Sequence, residues 1–77
     1  MPTLFEIFGL RFFFFSSEHL PIHVHVQCGD GEAKIELEPS VKLVYNYGLK
    51  VNDLRRALDL AGMYREEIIE RWHKFHD

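Results

Sequence analysis

His23 and His25 stand two residues apart in the segment Pro21-Ile22-His23-Val24-His25-Val26. On an extended chain that spacing sends both imidazoles to the same face. Histidine is the side chain that changes charge near neutrality, so a pair of them can act as base and acid in one reaction. The reaction that fits is cleavage of a phosphodiester such as RNA. One ring takes the proton of a 2′-hydroxyl and the other protonates the leaving oxygen, while Lys34 or Arg11 stabilises the charged phosphorane and Glu36 orients an imidazole. The same two rings supply two metal ligands. A zinc site needs three or four, and the additional donors, Cys28, Glu36, His19 or a histidine of a second copy, have no spacing that fixes a site. The third use of the pair is as half-buried polar surface on a strand, hydrogen-bonded to Glu36 or to a partner.

The elements that must position these residues follow from hydrophobic period. Ile22 to Gln27 and Glu32 to Glu38 alternate strictly on either side of Gly29-Asp30-Gly31, which predicts a hairpin. A two-residue turn at Gly29-Asp30 or Asp30-Gly31 sets Ile22, Val24 and Val26 beside Ala33, Ile35 and Leu37. His23, His25, Gln27, Lys34 and Glu36 then take the opposite face. An earlier hairpin is expected around Gly9, where Phe5 and Ile7 share a face with Leu10, Phe12 and Phe14. Leu4 and Glu6 share the other with Arg11, Phe13 and Phe15, and Glu6 can pair with Arg11. Ser16-Ser17-Glu18-His19-Leu20-Pro21 reads as the loop between the hairpins. Val41 to Tyr47 is a weaker strand candidate ending at Gly48.

Asn52 reads as a helix N-cap with Asp53 in the first turn. The apolar positions Leu54, Ala61, Ile68 and Phe75 recur every seven residues and keep phase through Gly62, which favours one long helix over two. A kink at Gly62 is the competing reading. His73 and His76 fall in the last turn, where an imidazole suits the negative end of the helix dipole. The expected fold is α+β: an antiparallel sheet of four to five strands, two hairpins and a possible fifth strand, with the C-terminal helix packed on one face. The helix covers the apolar face and leaves the histidine face open, with Phe13 and Phe15 exposed on it as stacking or docking groups.

Composition narrows the classes. The chain has 77 residues, which means one domain over 1–77, and 47% are hydrophobic, far from a disordered composition. Nine Lys and Arg against twelve Asp and Glu give a net charge of -3, so nonspecific coating of DNA is not expected. The single cysteine, Cys28, excludes an internal disulfide. With no basic leader and no long apolar run, a cytoplasmic, non-membrane protein is expected.

Gly9-Leu10-Arg11-Phe12-Phe13-Phe14, Pro21-Ile22-His23-Val24-His25-Val26, Gly29-Asp30-Gly31-Glu32-Ala33-Lys34, Gly48-Leu49-Lys50 and Arg71-Trp72 follow one another in this order. Together with Met1-Pro2-Thr3 they make the chain resemble the bacterial family called domain of unknown function 4160. The resemblance carries His23, His25 and Lys34 as motif positions and Arg11 and Trp72 as framework. It implies a small protein often encoded beside another, an arrangement like a toxin-antitoxin pair. The leading expectation is therefore an interaction module that self-associates or binds the neighbouring gene's product through the open face, with Arg11, Phe13 and Phe15 in the interface. The alternative is a metal-independent ribonuclease using His23, His25, Lys34 and Glu36, with RNA as substrate. Metal binding by His23 and His25 is the third reading, and no cofactor is expected.

Overall fold

The computed structural model describes residues 3–15 and 19–76, so Met1-Pro2 and the Ser16-Ser17-Glu18 part of the expected loop lie outside the described residues. Alternation and turn residues produce five antiparallel strands in simple sequential order: β1 (Thr3–Ile7), β2 (Leu10–Phe13), β3 (His23–Cys28), β4 (Gly31–Glu36) and β5 (Lys42–Tyr47). Two helices follow, α1 (Val51–Met63) and α2 (Arg65–His76). The α+β fold, the two hairpins and the fifth strand are all present.

The first hairpin turns at Phe8-Gly9, with Ile7 opposite Leu10, Glu6 opposite Arg11 and Phe5 opposite Phe12. Phe8 has φ 56° and Gly9 φ 77°, the pair of positive values that a two-residue type I′ turn requires. Phenylalanine is an unusual choice there, because a Cβ in the left-handed region crowds the following carbonyl. Its ring is 66% exposed and rests under the Arg56 guanidinium at 4.5 Å. Replacing Phe8→Asn should therefore raise stability by about 0.5–1 kcal/mol, since Asn tolerates this conformation and the lost cation–π contact is solvent-exposed. A urea melt checks the sign, and a lower midpoint would refute the strain argument.

The pairing of β1 shifts between Thr3 and Phe5, so Thr3 faces Phe13 and Leu4 is the extra residue. This corrects the expected placement of Leu4 beside Arg11. The bulge breaks the two-residue period, and Leu4 packs against the core instead. The second hairpin takes the first of its two expected turns and keeps the expected faces without a bulge: His23 faces Glu36, Val24 faces Ile35, His25 faces Lys34, and Cys28 faces Gly31 across the Gly29-Asp30 turn. On β5 the register shifts at Val44, between Leu43 and Tyr45.

The helical region departs from expectation twice. Lys50, in extended conformation, is the N-cap of α1, and Asn52 lies inside its first turn. The Asn46 side chain fixes the preceding corner by accepting from the Leu49 N–H (3.0 Å) and donating to the Leu49 carbonyl (3.1 Å). The chain thus enters the helix two residues early, and the Leu54 N–H bonds to the Lys50 carbonyl at 2.8 Å. In place of one long helix there are two, interrupted at Tyr64, whose φ -104° and ψ 19° leave the helical region. The break falls beyond Gly62. Arg65 pins the start of α2 to the end of the sheet, donating to the Leu37 carbonyl at 2.6 Å and to that of Pro39 at 3.4 Å. The seven-residue stripe survives the interruption, and Ala61, Ile68 and Trp72 are buried on Phe12, Phe14, Val24 and Ile35. Among the described residues no helix is long and apolar enough to cross a membrane.

Candidate functional site

With one face of the sheet under the helices, register defines what stands on the other. One row crosses all five strands as Glu6, Arg11, Gln27, Glu32 and Tyr47. The next runs Thr3, Phe13, His25, Lys34 and Tyr45. A third contains His23, Glu36 and Lys42. Apart from Leu4, the strand residues expected on the histidine face are there, but laid out in cross-strand pairs over the sheet and not converging on a cleft.

The face is far less open than its pattern implied. His23 is 2% exposed, His25 4% and Phe13 2%, which corrects the expectation that Phe13 is exposed. None of the three belongs to the core cluster under the helices. They are covered by one another and by their neighbours. The Arg11 guanidinium lies 4.5 Å above the Phe13 ring. It is held there by donating to Gln27 at 2.8 Å and to Thr3 at 3.2 Å. Phe13 stacks on His25 at 5.5 Å, and Phe15 meets the same imidazole edge-on at 4.4 Å. His25 and His23 are perpendicular neighbours at 5.2 Å. His23 then abuts Trp72 at 5.1 Å, and Trp72 lies 4.0 Å from His76. An unbroken line of rings thus runs from the guanidinium on β2 across the histidine pair to the end of α2.

A hydrogen bond orients His23, and a carboxylate contact lies beside His25. The Pro21 carbonyl, 2.8 Å from Nδ1 of His23, can only accept, so that nitrogen carries the proton. Nδ1 of His25 lies 3.4 Å from a Glu32 carboxylate oxygen. Glu32 also accepts from the Tyr45 hydroxyl at 2.8 Å. Glu36, the expected orienting carboxylate, is the register partner of His23, whereas Glu32 is the acid that reaches His25. Glu32 and Tyr45 went unnoticed in the sequence although period two places Glu32 on the face of Lys34. Tyr45 required the register of β5, which its bulge conceals.

The remaining candidates fall outside this surface. Nδ1 of His76 donates to the Trp72 carbonyl at 3.1 Å, a helix-end bond of the expected kind. His19 is exposed. The Cys28 thiol, half-buried, points at the Asp53 carboxylate 3.8 Å away. Among the described residues no three His, Cys, Asp or Glu side chains are grouped to hold a metal ion.

A meander sheet with helices on one face and a closed aromatic–imidazole layer on the other defines a small α+β domain built around its sheet. The chain belongs to the family described as domain of unknown function (DUF4160), whose model matches residues 9–73 and so includes the histidine motif, the glycine turn and Trp72. Comparison with curated proteins and with solved structures finds no match in either.

Proposed function

We propose that this chain is an interaction module, one member of a pair resembling a toxin-antitoxin system, and that its partner docks across the outer face of the sheet. The observation that carries the reading is the state of that face: its histidines are spent on internal packing, while its periphery presents aromatic surface. Tyr47, stacked on Tyr45 at 4.7 Å, is 70% exposed, and Phe15 is 37% exposed. Exposed aromatic residues rimmed by charge are the usual anchors of a protein interface. The sheet edges are poorer docking sites. Both edge strands carry a bulge, at Leu4 and at Val44, and bulged edges resist addition of a further strand.

The ribonuclease reading requires two imidazoles that reach a substrate hydroxyl and its leaving oxygen. The near-complete burial of both rings under Phe13, Phe15 and Trp72 speaks against it.

The test is co-purification with the product of the neighbouring gene, followed by titration with Tyr47→Asp. The variant should melt within a few degrees of the parent, because Tyr47 is mostly exposed, yet bind at least roughly tenfold more weakly. Unchanged affinity for both the neighbour and a second copy would sink the reading. RNA cleavage by the parent, abolished in the His23→Ala/His25→Ala variant, would replace it with the enzyme.

A further inference from the structure

The geometry points to a second copy of this chain as the occupant of the outer face, packed sheet against sheet about a two-fold axis lying along β3. The inference rests on the interaction reading and adds the partner and the register.

Two chains of net charge -3 repel, so self-association needs a face that escapes the overall acidity. The outer rows do. Against Glu6, Glu32 and Glu36 they set Arg11, Lys34 and Lys42. β3, the central strand of five, carries no charged residue among His23–Cys28 unless a histidine is protonated.

A closed dimer of facing sheets has its two-fold in the plane between them, and two directions are natural. An axis across the strands at the His25 row folds each strand onto its own copy. Lys34 then faces the partner's Lys34, and Glu32 faces the partner's Glu36. Both contacts are repulsive. An axis along β3 keeps each row on itself while exchanging β2 with β4 and β1 with β5. Arg11 then faces the partner's Glu32, because the two share a row on either side of Gln27. In the next row Phe13, already under one guanidinium, comes beneath the partner's Lys34. Glu6 meets the partner's Tyr47, and no like charges coincide in either row.

Dimensions agree. Facing sheets stand about 10 Å apart, a gap that an arginine and a glutamate span together once Arg11 swings up from Gln27 and Thr3, which it binds in the single chain. The favourable pairs lie one strand from the axis, where the crossing angle of packed sheets displaces them least. Symmetry makes each contact twice, and the exposed aromatic side chains fall within the same footprint.

Mass measured by sedimentation or light scattering tests this at chain concentrations up to about 500 µM. The parent should approach twice 9.2 kDa. Arg11→Glu and Glu32→Arg, each alone, place like charges at both symmetric contacts and should weaken the dimer at least roughly tenfold. An equimolar mixture of the two variants restores opposite charges at both contacts, and the dimer should return as a heterodimer. Rescue by mixing cannot come from unfolded chains. If Glu32→Arg fails to fold, Arg11→Glu should dimerise more weakly than Arg11→Gln, a difference that a merely structural role for Arg11 does not predict.

A parent that stays at 9.2 kDa, or variants that dimerise like the parent, would overturn the inference. A monomer that binds the neighbour's product through Tyr47 overturns the dimer and leaves the interaction reading standing. A dimer rescued by mixing upholds the inference even when no second protein binds.

Discussion

Gly31→Ala is expected to destabilise the domain by about 3 kcal/mol or more, lowering its melting temperature by roughly 12–24 °C. A Cβ at this position would lie 2.7 Å from the carbonyl carbon of Gly48, 2.8 Å from its oxygen and 2.8 Å from the Leu49 nitrogen. All three are backbone atoms, so no side chain can rotate away. The corner they belong to is itself clamped by the two Asn46 bonds to Leu49, and its backward movement would pull on the first turn of α1. Gly48, at φ 93°, approaches Gly31 from the other side, its own Cβ position lying 3.3 Å from the Gly31 Cα. The gain in unfolded-state rigidity from Gly to Ala, about 0.4–1 kcal/mol, is too small to offset the clash. Gly62→Ala is the control: no atom lies within 4 Å of its Cβ position and it sits in α1, so it should stabilise by about 0.5–1 kcal/mol. If Gly31→Ala melts within about 3 °C of the parent, the two backbones are not in the contact described. The effect bears on function because Glu32 and Tyr47, which face each other across β4 and β5, directly flank these two glycines.

Much of this arrangement is legible in the sequence because the second hairpin obeys one rule throughout. Strict alternation on both sides of a two-residue turn puts Val24 and Ile35 on one face and both histidines on the other whichever turn is used, and the Gly29-Asp30 turn then delivers His23 to Glu36 and His25 to Lys34. The failures share a cause, which is that a period describes an undisturbed element. Leu4 is apolar on whichever face it lies, so the bulge that turns it to the core leaves no mark on the pattern. The seven-residue stripe from Leu54 to Phe75 is compatible with a continuous helix, and the break at Tyr64 accompanies contacts made elsewhere, from Arg65 to the end of the sheet and from Phe5 to Tyr64 at 5.3 Å. Burial of the outer face is the largest omission. Period assigns Phe13, His23 and His25 to one side correctly, but whether that side is covered depends on Arg11 folding over Phe13 and on Trp72 reaching His23. Side-chain reach of that kind has no signature in spacing.

Phe14→Ala should produce the other large effect and connect the core to the histidine layer. Phe14 is wholly buried, edge-on to Trp72 at 5.4 Å and His76 at 5.5 Å and stacked with Phe75 at 6.2 Å. Truncating a buried phenylalanine costs about 3–5 kcal/mol, a large part of the stability of a domain this small. The loss has a direction. The ring holds the final turns of α2 against the sheet, and Trp72 in turn abuts His23, so removing it should loosen Trp72 first and then unroof the histidine pair. The chain contains one tryptophan, which makes its fluorescence a specific reporter: emission should shift to the red in Phe14→Ala at temperatures where the sheet is still folded. Phe15→Ala offers the contrast within the same run. Its ring is 37% exposed and meets Phe13 and His25, so the cost should be about 1 kcal/mol with tryptophan emission unchanged. Equal losses for the two substitutions, or an unshifted spectrum in Phe14→Ala, would mean that α2 is anchored by something other than this aromatic cluster. The expected difference would establish that one strand end serves both sides of the sheet, with Phe14 fixing the helix and Phe15 roofing the imidazole on the face where a partner docks.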